Sequence, residues 1–272
     1  MQTDLASPPT KTETLLYVTG LSKRYLRGGL LSRKRTQVQA LHSVELTLRA
    51  GSTLALIGAS GSGKSTLARC LVCLEKADTG EIWFAGKNLL TLTNHELAPF
   101  RRQIQLIFQD PAGSLNPRLN AIEVISEPLL IAGMGRRERR ARALELMELA
   151  GLPAGWGSRL PCEFSGGQRR RLAIARALAL EPKVLILDEA LTGLDLSIQA
   201  QISNLLLELQ SALSLSYLLI SHDVGLVAHL ADEVAILHQG KIVEMATTQQ
   251  WLQNAHSLSS EALVACFAGS GQ

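Results

Sequence analysis

Residues Gly58 to Thr66 read Gly-Ala-Ser-Gly-Ser-Gly-Lys-Ser-Thr. They fit the phosphate-loop pattern G-x-x-x-x-G-K-[ST]. Gly58, Gly63, Lys64 and Ser65 stand in the fixed places, Ala59, Ser60, Gly61 and Ser62 in the variable ones. The pattern has chemical meaning only between a strand and a helix, and both are legible. Leu54-Ala55-Leu56-Ile57 is a short apolar run that suits a buried strand, and Leu67 to Glu75 reads as a helix. Glycines keep side chains out of the way, so backbone N–H groups can close around phosphate oxygens. The helix N-terminus adds partial positive charge at the same point. Lys64 is then placed for the β- and γ-phosphates of a nucleotide, and the Ser65 hydroxyl for Mg²⁺. The competing reading is a glycine-rich turn with a chance lysine. The flanking strand and helix weigh against it.

A loop of this kind needs a sheet to carry it, and 272 residues suffice for one large α/β domain or a core plus a subdomain. Hydrophobic residues at 46% and charged residues at 19% are globular proportions. A net charge of only +3 argues against nucleic acid as the main partner. No apolar run approaches the ~18 residues that span a bilayer, and the polar start to Thr14 lacks a signal segment. A cytosolic location follows as the expectation, with any membrane work left to other chains. Cys70, Cys73, Cys162 and Cys266 are then free thiols. Cys70 and Cys73 form a C-x-x-C without a second pair, which reads as small core residues rather than a zinc or redox site.

Taken in order, residues 1–14 look like a tail, and Leu15 to Val18 a strand. Tyr25 is a candidate platform for an adenine ring, with a strand-end core tyrosine as the alternative. Arg27 to Gln37 is a basic, glycine-bearing loop, and Val38 to Leu48 alternates like a strand. Gly80 to Leu90 reads as a hairpin. Gln105 to Phe108 is a strand opening onto Gln109, which could ligate Mg²⁺ or orient water. Asn120 to Ala132 and Arg137 to Ala150 read as helices, the second stopped by Gly151. Arg136, Arg137, Arg139, Arg140 and Arg142 form a solvated helix face or, failing that, a docking face.

Ser165-Gly166-Gly167-Gln168 opens a further helix and looks like a second anion-binding helix start. Val184 to Leu187 is a buried strand delivering Asp188 and Glu189 at its C-terminal end, where α/β sheets bind ligands. Asp188 suits Mg²⁺, and Glu189 suits a water attacking phosphate. Leu191 to Asp195 is a loop and Ser197 to Leu213 a helix. Tyr217 to Ile220 is another buried strand, placing His222 at the same edge. Val234 to Glu244 is a hairpin, and the remainder is partly helical.

The order Tyr25, Gly58–Thr66, Gln109, Ser165–Gln168, Asp188-Glu189, Asp195 and His222 resembles the nucleotide-binding subunit of an ABC transporter, over roughly residues 15–250. The Ser-Gly-Gly-Gln signature is the specific part, since many NTPases share a phosphate loop. The resemblance implies an ATPase core of the P-loop type with an antiparallel β subdomain and a helical subdomain at about 95–180. It leaves 1–14 and 251–272 as tails. It implies ATP and Mg²⁺, with Tyr25 on adenine and the loop on phosphates. Ser65, Gln109 and Asp188 fall to Mg²⁺, Glu189 to the catalytic base and His222 to the γ-phosphate. Ser165, Gly166, Gly167 and Gln168 would complete the ATP site of a head-to-tail partner, with Asp195 in the loop between the two. A second ATPase, two permease subunits and, indirectly, an extracytoplasmic binding protein are the implied partners. The chain would sit peripherally on the cytoplasmic face of the membrane.

Phe108 to Pro111 with Ser114-Leu115-Asn116-Pro117-Arg118 resembles the peptide/nickel importer family within these transporters. The 27–37 insertion and Ser197 to Gln201 point the same way. Four places depart from the common pattern: Phe164, Ala190, Thr192-Gly193 and His256-Ser257-Leu258. The run Asp188 to Leu196 and Ser65 to Arg69 look more like the nickel-type second ATPase, so a nickel or metal-chelate importer is the first expectation and a dipeptide or oligopeptide importer the alternative. A soluble ABC protein acting on DNA or ribosomes is disfavoured. The stretch between Gly63 and Ser165 lacks a sustained heptad pattern, and there is one set of motifs.

Overall fold

Among the described residues three strands are buried along their whole length, and they fix the architecture: β3 (Thr53–Ile57), β7 (Val184–Asp188) and β8 (Ser216–Ile220). A strand apolar on both faces must be covered on both, and this produces a central parallel sheet. The computed structural model describes residues 14–27 and 36–255. Along the chain run β1 (Thr14–Arg27), β2 (Thr36–Arg49), β3, α1 (Lys64–Leu71), β4 (Thr79–Phe84), β5 (Lys87–Asn88), α2 (Asn94–Gln103), β6 (Ile104–Ile107), α3 (Pro111–Ser114), α4 (Ala121–Ile131), α5 (Arg136–Leu149) and α6 (Gly166–Leu178). Then come β7, α7 (Leu196–Leu213), β8, α8 (Val224–Leu230), β9 (Glu233–His238), β10 (Lys241–Thr247) and α9 (Thr248–Ala255).

The larger sheet has the order β10-β9-β3-β8-β7-β6, parallel except for the β9–β10 hairpin. Alternate residues feed two separate cores, as the two-residue period of a strand requires. Ala55, Leu185, Leu187, Tyr217, Leu219, Val234 and Ile236 face α4, α5, α6 and α7. Leu54, Leu56, Val184, Ile186, Leu218, Ile220 and Leu237 face α1 and the antiparallel sheet β2-β1-β4-β5. Each fully buried Leu or Ile contributes roughly 1.5–3 kcal/mol, so the two cores lock the strand ends in place.

Several expected boundaries move. The helix after the phosphate loop starts at Lys64, directly after Gly63 at φ 112°, and stops at Leu71, because Cys73 turns into the left-handed region at φ 54°. Cys70 lies inside the second core, where burial pushes its thiol up to about 12. The stretch 95–180 is not purely helical: β6 within it is a strand of the parallel sheet, and the helical layer proper begins at α4. Nor do the domain's packed residues end at 250, since Trp251 on α9 is buried in the first core. Thr14, assigned to the tail, begins β1, while residues 1–13 and the middle of the 27–37 insertion lie outside the described residues, as do Cys266 and residues 256–258.

Candidate active site

The phosphate loop is compressed against two neighbouring segments, and this explains its glycines. A Cβ on Gly58 would stand 2.2 Å from the Leu237 carbonyl oxygen, and one on Gly63 2.3 Å from that of Ala40. Ser60 and Gly61 stay exposed. Lys64 is buried and curls back over the loop, its Nζ donating to the carbonyls of Gly58 at 2.7 Å and Ala59 at 3.0 Å. The Ser62 hydroxyl is buried and has no hydrogen-bond partner among the described residues. A buried hydroxyl left unpaired is costly, so a loop arranged like this suits a bound anion.

Strand register assembles the acidic half. Ile107 pairs with Leu187, so Gln109 and Glu189, each just beyond, leave the sheet side by side. Gln109 Nε2 donates to Glu189 Oε2 at 3.0 Å. Asp188 pairs with Ile220, so His222 emerges on the other flank, with Nδ1 4.0 Å from Glu189 Oε1. The Ser65 hydroxyl, at the start of α1, donates to Asp188 Oδ1 at 3.2 Å. Burial holds the Asp188 carboxyl above the usual carboxylate range, and the adjacent Glu189 charge adds to this, while the Ser65 bond opposes it. Ser65 and Asp188 offer hard oxygen donors in contact, the donor type Mg²⁺ takes. The residues present therefore fit a magnesium–nucleotide.

Tyr25 lies alongside Thr66 of the loop. Its hydroxyl donates to the Glu75 carboxylate, and the Lys23 ammonium sits 5.5 Å from the ring centroid. Burial and the Glu75 charge push the phenol pKa up. Sequence reasoning singled out Tyr25 but missed Lys23 and Glu75. Lys23 stands two positions earlier on the same strand, which was a usable signal; nothing in sequence joins Glu75 to Tyr25.

Ser165 and Gln168 bond to each other at the start of α6. Ser165 is the N-cap of α6. Its Oγ accepts from Gln168 N at 3.3 Å, and Gln168 Oε1 accepts from Ser165 N at 2.9 Å. A Cβ on Gly167 would meet Ile198 of α7 at 2.4 Å. Ser165 and Gly166 remain exposed. Asp195 caps α7, its Oδ1 accepting from Ile198 N at 2.9 Å. The helix start read as anion-binding is capped by its own Ser165 and Gln168 side chains and is exposed at Ser165 and Gly166.

Known proteins resemble this chain in sequence and fold. The sequence profile of the family described as "ABC transporter" matches residues 41–192. The oligopeptide transport ATP-binding protein OppD of Mycobacterium tuberculosis is 46% identical over 231 residues, 85% of this chain and 38% of that protein. The chain thus spans well under half the length of that relative. The dipeptide transport ATP-binding protein DppF of Haemophilus influenzae is 43% identical over 252 residues, 92% of this chain and 77% of that one. The glutathione import ATP-binding protein GsiA of Salmonella typhimurium is 46% identical over 244 residues, 89% of this chain and 39% of that protein. Among solved structures, the dimeric ATP-binding cassette MJ0796 in a post-hydrolysis state with ADP and Pi superposes with a TM-score of 0.76 at 30% identity, covering 86% of this chain and 99% of that one. CbiO1 from Clostridium perfringens, part of the transporter complex cbiONQ, gives 0.78 at 26% identity, covering 90% and 93%. The fold is therefore that of an ABC-type ATPase cassette, and the chain belongs to the ABC transporter family.

Proposed function

We propose that the chain hydrolyses ATP to drive an importer of short peptides or peptide-like molecules. The observation that carries the hydrolytic part is the Glu189 carboxylate. It is held by Gln109 and faced by His222, at a sheet edge that also presents Asp188, Ser65 and the Lys64 loop. In this reading the loop N–H groups and Lys64 hold the β- and γ-phosphates, and Tyr25 supports the adenine. Ser65, Asp188 and Gln109 would hold Mg²⁺, which when bound neutralises charge on the phosphate oxygens. Glu189 orients a water and accepts its proton as the oxygen bonds to the γ-phosphorus and ADP departs. His222, beside Glu189, is assigned to the γ-phosphate. The Ser165 to Gln168 segment, exposed at Ser165 and Gly166, and the exposed Asp195 are assigned to the face that meets a second cassette head to tail, so that each signature closes the other's site.

The cargo assignment is supported by relatives named for oligopeptides, dipeptides and glutathione. It takes precedence over the nickel reading, which rests on the short runs at 65–69 and 188–196. A second ATPase, two permeases and a binding protein are the assigned partners, with the chain peripheral at the cytoplasmic face. Among the described residues no helix is long and apolar enough to cross a membrane.

The test of the site is Lys64→Ala, which removes the buried cation over the loop. Hydrolysis should be abolished and nucleotide affinity weakened; near-normal turnover would overturn the assignment. For cargo, cells lacking the chain should lose uptake of a labelled dipeptide or tripeptide and keep nickel uptake. The opposite pattern would restore nickel.

A further inference from the structure

The segment after Glu189 is gripped by a side chain outside the motifs. Arg170, on the second turn of α6, donates from Nε to the Ala190 carbonyl and from Nη2 to the Thr192 carbonyl at 2.5 Å. These carbonyls flank the buried Leu191. The guanidinium therefore straddles the turn that begins at Glu189, where Thr192 N–H donates to the Glu189 carbonyl at 3.1 Å. Glu189 itself sits at φ 49°, a conformation unfavourable for a residue with a Cβ. Such a conformation persists only where its surroundings hold it. One hold is on the sheet side, where Glu189 N–H donates to the Ile220 carbonyl at 3.0 Å. The other is Arg170, on the far side of the turn. A planar guanidinium offers two donors at fixed spacing, which a lysine or glutamine does not reproduce. The Asp110 charge, next to Gln109, also acts on this guanidinium, opposing the effect of burial.

We propose that Arg170 is a positioning residue: its guanidinium fixes the turn from Glu189 to Thr192 and so aims the Glu189 carboxylate at the reacting water. It also links α6, whose N-cap Ser165 faces outward, to chemistry at this chain's own loop. The proposal rests on Glu189 as general base.

The test is single-turnover hydrolysis by the full chain at saturating magnesium–ATP, beside a direct nucleotide-binding titration. Arg170→Gln should slow hydrolysis roughly 10- to 100-fold, the cost of misplacing a catalytic group by a fraction of an ångström to an ångström. ATP affinity should stay within about twofold, a ratio worth under one RT. Arg170→Lys, which keeps the charge and reaches one carbonyl, should fall between. In a Glu189→Gln background, Arg170→Gln should add nothing, because there is no base left to aim. A wild-type rate for Arg170→Gln, multiplicative slowing in the double variant, or parallel loss of ATP affinity would each overturn the proposal. If Glu189→Gln alone hydrolyses at the wild-type rate, the general-base reading fails instead.

Discussion

Asp188 is the residue where stability and function pull apart. It ends a fully buried strand, and burial raises its carboxyl pKa above the ordinary value. A carboxyl that binds its proton more tightly folded than unfolded favours the fold most below the ordinary carboxylate pKa. That contribution is lost as pH rises through the interval up to the raised value. At neutral pH the ionised Asp188 therefore works against the nucleotide-free fold. Asp188→Asn removes the charge and keeps an oxygen for the Ser65 hydroxyl. It should raise the melting temperature of the nucleotide-free chain at pH 7, lose that advantage near pH 4, and abolish magnesium-dependent hydrolysis. A lower melting temperature at pH 7 would show that the Ser65 contact outweighs desolvation. The identity of this residue was readable from an apolar run ending in two acids. The left-handed turn at Glu189 was not, because glutamate has no preference for it.

At the scale of elements, the start of α6 shows how one short motif carries two demands. Ser165 and Gln168 satisfy the orphan N–H groups of the helix by reciprocal bonds. Gly167 meanwhile lets α6 pack directly on Ile198 of α7. Gly167→Val would drive a branched side chain into that contact. Overpacking of this type costs typically 1–3 kcal/mol, which for a domain of this size lowers the melting temperature by roughly 2–12 °C. Nucleotide binding at the chain's own loop should persist, since that loop is built from β3 and α1. Thermal melts with and without ATP would check both halves, and an unchanged melting temperature would show that α7 yields. The helix was visible in sequence from its serine and its apolar spacing. Its second glycine was readable only as part of a motif, because Ile198 is distant along the chain.

For the whole molecule, the exposed Ser165, Gly166 and Asp195 are proposed to serve the loop of a second cassette, and in that reading a complete site takes two. Ser165→Arg places a bulky cation there. ATP should still bind at the chain's own loop, while the closed dimer that Glu189→Gln accumulates with ATP should not form. Crosslinking, between copies or with the second ATPase, reads this out. A dimer that still closes on ATP would remove the signature from the partner's site.

The sequence alone determined the chemistry-bearing residues and the strands that carry them. A phosphate loop, two acids after an apolar run and a capped Ser-Gly-Gly-Gln are local patterns, each written within a few residues. It also determined a central parallel sheet, since Leu54–Ile57, Val184–Leu187 and Tyr217–Ile220 are continuous apolar runs within β3, β7 and β8. Tertiary structure decided what touches what. Strand order brought Gln109 to Glu189, packing brought Glu75 to Tyr25, and a helix–turn contact brought Arg170 to Ala190 and Thr192. It also decided that β6 belongs to the core and that Trp251 completes it. The physical reason is common to all of these: a hydrogen bond or a buried contact between residues far apart in sequence depends on the register and order of the sheet, and no local pattern encodes either.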